Sequence, residues 1–157
     1  MDAADLLYAT ICEENRLLAQ FIEMLEQEEL LLAGPPDIDK LQKITVEKNH
    51  HIDQLVATDA KRQALLAQCG FSAGLDGLAQ AAAKHRFISE PCDLLLEFAK
   101  RAKHLNTSNG ATIAACWSHH HEALNQLSRL CGHDGLYDAR GRNLSGSTGK
   151  HANFRAA

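Results

Sequence analysis

The feature that most limits the fold is a set of three long stretches in which apolar residues recur every three or four positions. This spacing is typical of one face of an α-helix. The stretches cover residues 3–33, 37–70 and 89–131. At about 1.5 Å per residue, helices of these lengths extend roughly 45–60 Å. Helices this long pack side by side at shallow angles, as in a coiled coil or a long bundle.

The composition also favours helix over sheet. Alanine and leucine make up 47 of the 157 residues, whereas valine occurs only twice. Unbranched side chains lose little rotamer freedom in a helix, and the β-branched residues that favour strands are scarce. The composition therefore argues against a β-sandwich or a parallel α/β sheet.

Glycine and proline mark the connections between the stretches. The tight turn Gly34-Pro35-Pro36 should make the first two helices antiparallel neighbours, and a small-residue segment after Gly70 has room for one short helix near 75–85. We predict an all-α fold, an elongated antiparallel helical bundle or coiled coil of three long helices plus one short helix, over residues 1–131. The glycine-rich segment 132–157 is expected to be a flexible C-terminal tail, largely disordered when free.

The third stretch contains the segment 106–110, which has poor helix propensity. The apolar residues before and after it are in phase, because Leu105 and Cys116 are eleven residues, or about three turns, apart. We therefore predict one continuous helix that begins at Ser89. Asn109 falls on its apolar face, where it either sets the helix register or opens a polar notch for a partner.

Charged residues also lie near the apolar faces. Lys48, Asp59 and Arg62 border the face of the second helix, and we expect their charged ends to reach from its edge to water. Residues 1–33 carry eight acidic residues and one basic residue. This acidic helix could lie against basic faces of the later helices or against a basic partner.

Several classes of protein are disfavoured by the sequence. No apolar run approaches the ~18–20 residues of a membrane span, and the acidic start lacks the cationic region of a signal peptide. We expect a cytoplasmic protein with no stable membrane insertion. The five cysteines are odd in number, widely spaced and form no Cys-x-x-Cys pair, which agrees with free thiols in a reducing compartment. A net charge of −4 is not the basic pattern of a nucleic-acid-binding protein.

Histidine is the residue type that most suggests a metal. Nine are present, including the run His119-His120-His121. Three consecutive side chains on a straight helix diverge by about 100°, so they cannot all bind one ion. We predict no cofactor and, because no catalytic motif occurs, no enzymatic activity.

The strongest functional signal lies at the end of the third helix. Apolar side chains there continue into a tail that cannot bury them alone, and they are candidate partner-binding residues: Leu124, Leu127, Leu130, Leu136 and Tyr137. They could cap the end of the bundle core. Alternatively, they could pack against an amphipathic helix of a partner.

Three groups of residues resemble the FlgN family of flagellar export chaperones. They are Lys48, Leu55 and Arg62 with Leu65-Leu66 in the second helix, residues 105–110 with Ile113, and residues 136–142 (Leu-Tyr-Asp-Ala-Arg-Gly-Arg). Their order and spacing carry the resemblance, which covers nearly the whole chain. The histidine run and the basic, glycine-rich end after Arg142 depart from the family pattern.

The resemblance implies a cytosolic, non-enzymatic chaperone. Such proteins bind the C-terminal helical segments of the hook-associated proteins FlgK and FlgL, prevent their premature polymerisation and deliver them to the flagellar type III export apparatus. The family links its C-terminal region to cargo binding, which assigns that role here to the five candidate residues. The alternatives are a metal- or haem-binding helical bundle and a structural coiled-coil adaptor.

Overall fold

The computed structural model describes residues 2–130, and every regular element in that part of the chain is an α-helix. The helices are α1 (Ala3–Ala33), α2 (Ile38–Gln68), α3 (Gly74–Lys84) and α4 (Arg86–Leu130). The prediction of an all-α bundle with three long helices and one short one is therefore confirmed. The boundary predicted at residue 131 and the tail predicted at 132–157 lie outside the described residues.

The start and end of α1 agree with the prediction. Asp2 is the N-cap, and its carboxylate accepts a hydrogen bond from the backbone N–H of Ala3, while the Asp5 carboxylate accepts from the backbone N–H of Asp2. These contacts satisfy amide groups that have no partner inside the helix. The helix ends before Gly34, and the two prolines that follow cannot continue its hydrogen-bond ladder.

The connection from α2 to α3 depends on Gly70. Its backbone adopts φ = 80°, a left-handed conformation that suits glycine. The N–H of Gly70 donates to the carbonyl of Ala67, and the N–H of Phe71 donates to that of Leu66. This is a Schellman motif, which uses up carbonyl groups left free at the helix end.

The predicted start of the last helix at Ser89 is wrong, because α4 begins three residues earlier, at Arg86. Pro91 therefore lies inside the helix rather than in its first turn. The added turn carries Ile88, whose side chain is fully buried in the core, so tertiary packing outweighs the preference of proline for a first turn. The helix continues without a break through 106–110, as predicted.

The chain divides into two compact units, Met1–Ile113 and Ala114–Ala157. In the first unit, α1 and α2 are antiparallel, since Glu14 pairs with Arg62 and Glu28 pairs with Lys48. Its core consists of two clusters. One joins all four helices (Leu7, Ile11, Leu65, Leu66, Leu78, Ala81, Ile88, Cys92, Leu95), and the other joins α1 and α4 (Phe21, Ile22, Met24, Leu25, Ala102).

In the second unit the described residues are 114–130, the last four and a half turns or so of α4. All of them are exposed except Ser128, which is half-buried. Across residues 2–130, none of the helices combines the length and the apolar character that crossing a membrane requires.

Candidate partner-binding surface

The exposed end of α4 keeps an apolar face. Trp117, Leu124 and Leu127 are spaced by seven and three residues, so they share one side of the helix. Together with His120, which lies between them, they form what we call the α4 stripe. The exposed fractions of the three apolar residues are 78%, 64% and 58%. Large apolar side chains grouped on one helical face in this way mark a surface that another molecule can cover.

The structure describes three of the five candidate partner-binding residues. Leu124 and Leu127 lie on the α4 stripe, and Leu130, which is 84% exposed, lies at its edge. All three are exposed, which argues against the alternative in which they cap the bundle core. Leu136 and Tyr137 lie outside the described residues, and their role remains a prediction.

Trp117 is a residue of this surface that was not predicted from the sequence. The apolar spacing along the helix placed the neighbouring Cys116 on the apolar face instead. The signal was nevertheless present, because Trp117 lies seven residues, or two turns, before Leu124. Aromatic side chains provide a large contact area, and tryptophan is among the residues that dominate binding energy in protein interfaces.

Asn109 lies on the part of α4 that packs against α1. Its side-chain amide donates to the backbone carbonyl of Leu25 at 2.8 Å and to Glu28 Oε2 at 2.9 Å. Lys48 Nζ donates to both oxygens of the same carboxylate, at 2.9 and 3.0 Å. Because Asn109 and Glu28 are each 2% exposed, the structure supports the interpretation of Asn109 as a register residue. It does not support a polar notch open to a partner.

Arg62 is a second buried polar contact between helices. Its Nε donates to Glu14 Oε2 at 2.7 Å, and its guanidinium also pairs with Asp59. The expectation that Lys48 and Arg62 extend to water is therefore wrong. A buried charge is stable only with a partner and hydrogen bonds, and α1 supplies both partners.

The two acidic partners, Glu14 and Glu28, were not predicted from the sequence. Their positions contained a usable signal, since Glu14 follows the core residue Leu7 by seven residues and Glu28 follows Glu14 by fourteen. Acidic residues at these positions face the neighbouring helices rather than water. In each of the three ion pairs that join helices within residues 2–130, the acid belongs to α1. The pairs are Glu14–Arg62, Glu28–Lys48 and Glu26–Arg101. The acidic first helix thus lies against bases of the later helices, one of the two arrangements expected from its charge.

Residues 2–130 contain no group of three or more His, Cys, Asp or Glu side chains placed to hold a metal ion. His119, His120 and His121 are all exposed. Cys92 is buried, and burial, assisted by the neighbouring Asp93, raises the pKa of its thiol to about 11. That thiol is protonated at neutral pH and is a packing group rather than a nucleophile.

The described chain is thus an all-α bundle protein with buried polar contacts between its helices and an exposed apolar stripe at the end of the longest one. The family model described as "FlgN protein" matches residues 1–145, and the chain belongs to the FlgN family. This membership connects the chain with flagellum synthesis.

A curated relative agrees with the family match. It is the "Flagella synthesis protein FlgN" of Proteus mirabilis, which is 32% identical to this chain over 103 residues. The alignment covers 66% of each chain, slightly less than two thirds of the relative's length. No solved structure matches the chain significantly.

Proposed function

We propose that the protein is a cytosolic export chaperone for the flagellar hook-associated proteins FlgK and FlgL. In this proposal, the α4 stripe with Leu130, Leu136 and Tyr137 covers the C-terminal amphipathic helical segments of the cargo. Covering them prevents premature polymerisation until the cargo reaches the flagellar type III export apparatus. The observation that carries the proposal is the exposure of Trp117, Leu124 and Leu127 on one helical face.

The physical basis is reversible burial of apolar surface. Fully burying a leucine side chain is worth about 1.5–3 kcal/mol. Part of that gain is offset by the loss of translational freedom and by the ordering of the partner segment. A stripe of this size therefore predicts moderate affinity. Release then needs neither ATP nor a metal ion, and the function requires no catalytic residue.

The test is binding of synthetic C-terminal helical peptides of FlgK and FlgL to the full-length chain, measured by titration calorimetry. The double variant Leu124→Glu/Leu127→Glu should bind at least about tenfold more weakly, because each carboxylate must be desolvated against an apolar partner. Leu30→Glu is the matched control, since Leu30 is an exposed leucine on a different helix, α1. Its affinity should equal that of the wild type.

The possible results separate the parts of the proposal. Binding of the peptides by the double variant with wild-type affinity would contradict the position of the site. The absence of binding by the wild type would contradict the chaperone function itself.

A structural coiled-coil adaptor is the second candidate. The observation that favours it is the heptad spacing within the stripe, since Trp117 precedes Leu124 and His120 precedes Leu127 by seven residues each. An adaptor of this kind would pair its stripe with that of a second copy. Sedimentation equilibrium should then show a dimer that Leu124→Glu dissociates and that the peptides leave intact.

A further inference from the structure

His120 is the polar member of the α4 stripe. It lies three residues after Trp117 and four before Leu124, so its ring shares the face of these two apolar side chains. His120 is exposed, and among residues 2–130 its side chain has no hydrogen-bond, ion-pair or ring partner. A helix that covers the stripe must therefore bury this imidazole together with the apolar residues.

Burial places a chemical demand on the partner. A polar group removed from water without a hydrogen bond costs about 1–3 kcal/mol by protein mutational data. That cost would cancel much of the gain from burying one leucine. A well-matched partner therefore presents a hydrogen-bonding group opposite His120, at a position where the rest of its stripe is apolar.

The charges around His120 indicate which group this is. On residues 114–130 the titratable side chains other than His120 and Cys116 are His119, His121, Glu122 and Arg129. The single carboxylate, Glu122, accepts a hydrogen bond from the Gln126 amide at 3.3 Å. Protonation of the imidazoles makes this segment positive, so its electrostatic complement is an acidic helix.

We propose that the α4 stripe selects an amphipathic helix that carries an aspartate or glutamate among its apolar residues, and that this carboxylate pairs with His120 in the complex. The inference rests on the proposed function and adds the chemistry of the partner. It makes His120 a specificity-determining residue of the surface.

The proposed pair has a defined pH dependence. Histidine side chains change charge between about pH 5 and 8. A carboxylate opposite the ring favours the charged form of the imidazole, so binding of the partner is coupled to protonation of His120. Affinity should then increase as the pH falls from 8 to 6. A neutral acceptor opposite the ring would give the opposite sign, because it would leave an imidazolium buried without a counter-charge.

The experiment is calorimetric titration of the full-length chain with the FlgK and FlgL peptides at pH 6 and pH 8. The wild type should bind about five- to tenfold more tightly at pH 6. His120→Gln should lose most of this difference and keep only the weaker, unpaired contribution of His119 and His121. His119→Gln is the matched control, because adjacent side chains diverge by about 100° and His119 points away from the stripe. It should keep the wild-type response.

A change in the peptide completes the test. Each acidic residue of the peptide is replaced in turn by the corresponding amide, aspartate by asparagine and glutamate by glutamine. One of these peptides should bind the wild-type chain with little difference between pH 6 and pH 8. The same replacement should not alter the pH dependence of binding to His120→Gln. Equal affinity of the wild type at the two pH values, or weaker binding at pH 6, would overturn the inference while leaving the chaperone function intact. A complete lack of peptide binding at both pH values would overturn both.

Discussion

Single polar side chains set how the helices of the first unit meet. Asn109 contacts the Leu25 carbonyl and the Glu28 carboxylate, and these two acceptors lie about one turn apart on α1. A shift of α4 along α1 would leave the amide and the buried carboxylate without these partners. The energetic penalty for such a shift is what gives one polar residue control over register.

Replacing Asn109 tests this role. Asn109→Ala removes two hydrogen bonds and leaves Glu28 with Lys48 as its remaining side-chain partner. The free energy of unfolding should fall by about 2 kcal/mol, measured by urea denaturation. Asn106→Ala is the control, since Asn106 is exposed on the same helix and its replacement should change stability by less than about 0.5 kcal/mol. Equal effects of the two variants would contradict the register role.

The cysteines should differ in reactivity. Cys116 is exposed, whereas Cys92 is buried and its thiol has a pKa of about 11. At pH 8 iodoacetamide should modify Cys116 rapidly in the native protein and Cys92 only after denaturation, because the thiolate is the reactive species. Mass spectrometry of the digested protein measures both sites. Native modification of Cys92 at the rate of Cys116 would show that its surroundings are open to water.

The same thiol gives stability a pH dependence. An unfolded cysteine ionises near pH 8.5, while the folded Cys92 holds its proton to about pH 11. Between these values the folded state binds more protons than the unfolded state, so its stability decreases as the pH rises from about 8.5 to 11. Urea denaturation across this range should show a smaller decrease for Cys92→Ala than for the wild type. Identical slopes for the two proteins would contradict this assignment.

At the scale of elements, buried ion pairs and close backbone contacts position the helices. Arg62 connects α2 to α1 through Glu14, and α3 begins so close to the preceding turn that one helical position has room only for glycine. A Cβ atom at Gly77 would overlap the carbonyl oxygen of Ser72. These contacts join residues of different elements, and the apolar spacing within a single helix does not predict them.

The pair between Arg62 and Glu14 should respond asymmetrically to mutation. Arg62→Met leaves a buried carboxylate without its counter-charge and should lower the free energy of unfolding by about 3–5 kcal/mol. The double variant Glu14→Leu/Arg62→Met should recover most of that loss, since two apolar side chains can replace a buried pair. Lys61→Met, at an exposed neighbouring position, is the control for the loss of a positive charge. A double variant less stable than Arg62→Met would contradict this account.

Replacing two glycines by alanine should have opposite effects on the stability of the fold. Gly77→Ala places a methyl group against backbone atoms and should destabilise the protein. Gly110→Ala meets nothing within 4 Å inside α4 and should stabilise it by about 0.5–1 kcal/mol, because alanine favours helix more than glycine does. Thermal unfolding measures both. Destabilisation by Gly110→Ala would indicate a close contact at that position.

For the molecule as a whole, the core and the proposed binding surface lie in different units of the chain. Both core clusters fall within residues 1–113, whereas the α4 stripe falls within 114–130. A surface that contributes little to the core can carry exposed apolar residues without a large cost to stability.

Truncation after Glu122 tests this separation. It removes Leu124 and Leu127 with everything beyond them and leaves both core clusters complete. The midpoint of thermal unfolding should therefore change little, while binding of the FlgK and FlgL peptides should be lost. Equal retention of the peptides by the full-length and truncated chains would contradict the C-terminal position of the site.

Local patterns in the sequence were enough to define the helices and the exposed leucines. The bounds of α1 followed from the spacing of its apolar residues and its Gly-Pro-Pro end, and the continuity of α4 through 106–110 followed from the phase of its apolar residues. Leu124 and Leu127 could be identified because they extend that phase toward the chain end. Trp117 was missed only because Cys116 was chosen for the same turn.

The sequence by itself determined which segments are helical and which face of each is apolar, because these properties depend on residues within one or two turns of each other. Only the tertiary structure decided that Arg62 is buried and Lys48 half-buried, that α4 starts at Arg86, and which acids of α1 act as partners. Those outcomes depend on groups 20 to 48 residues apart in the chain, or on burial of Ile88 in a core formed by four helices. Interactions over such distances come from packing between helices, which the pattern within a single helix does not contain.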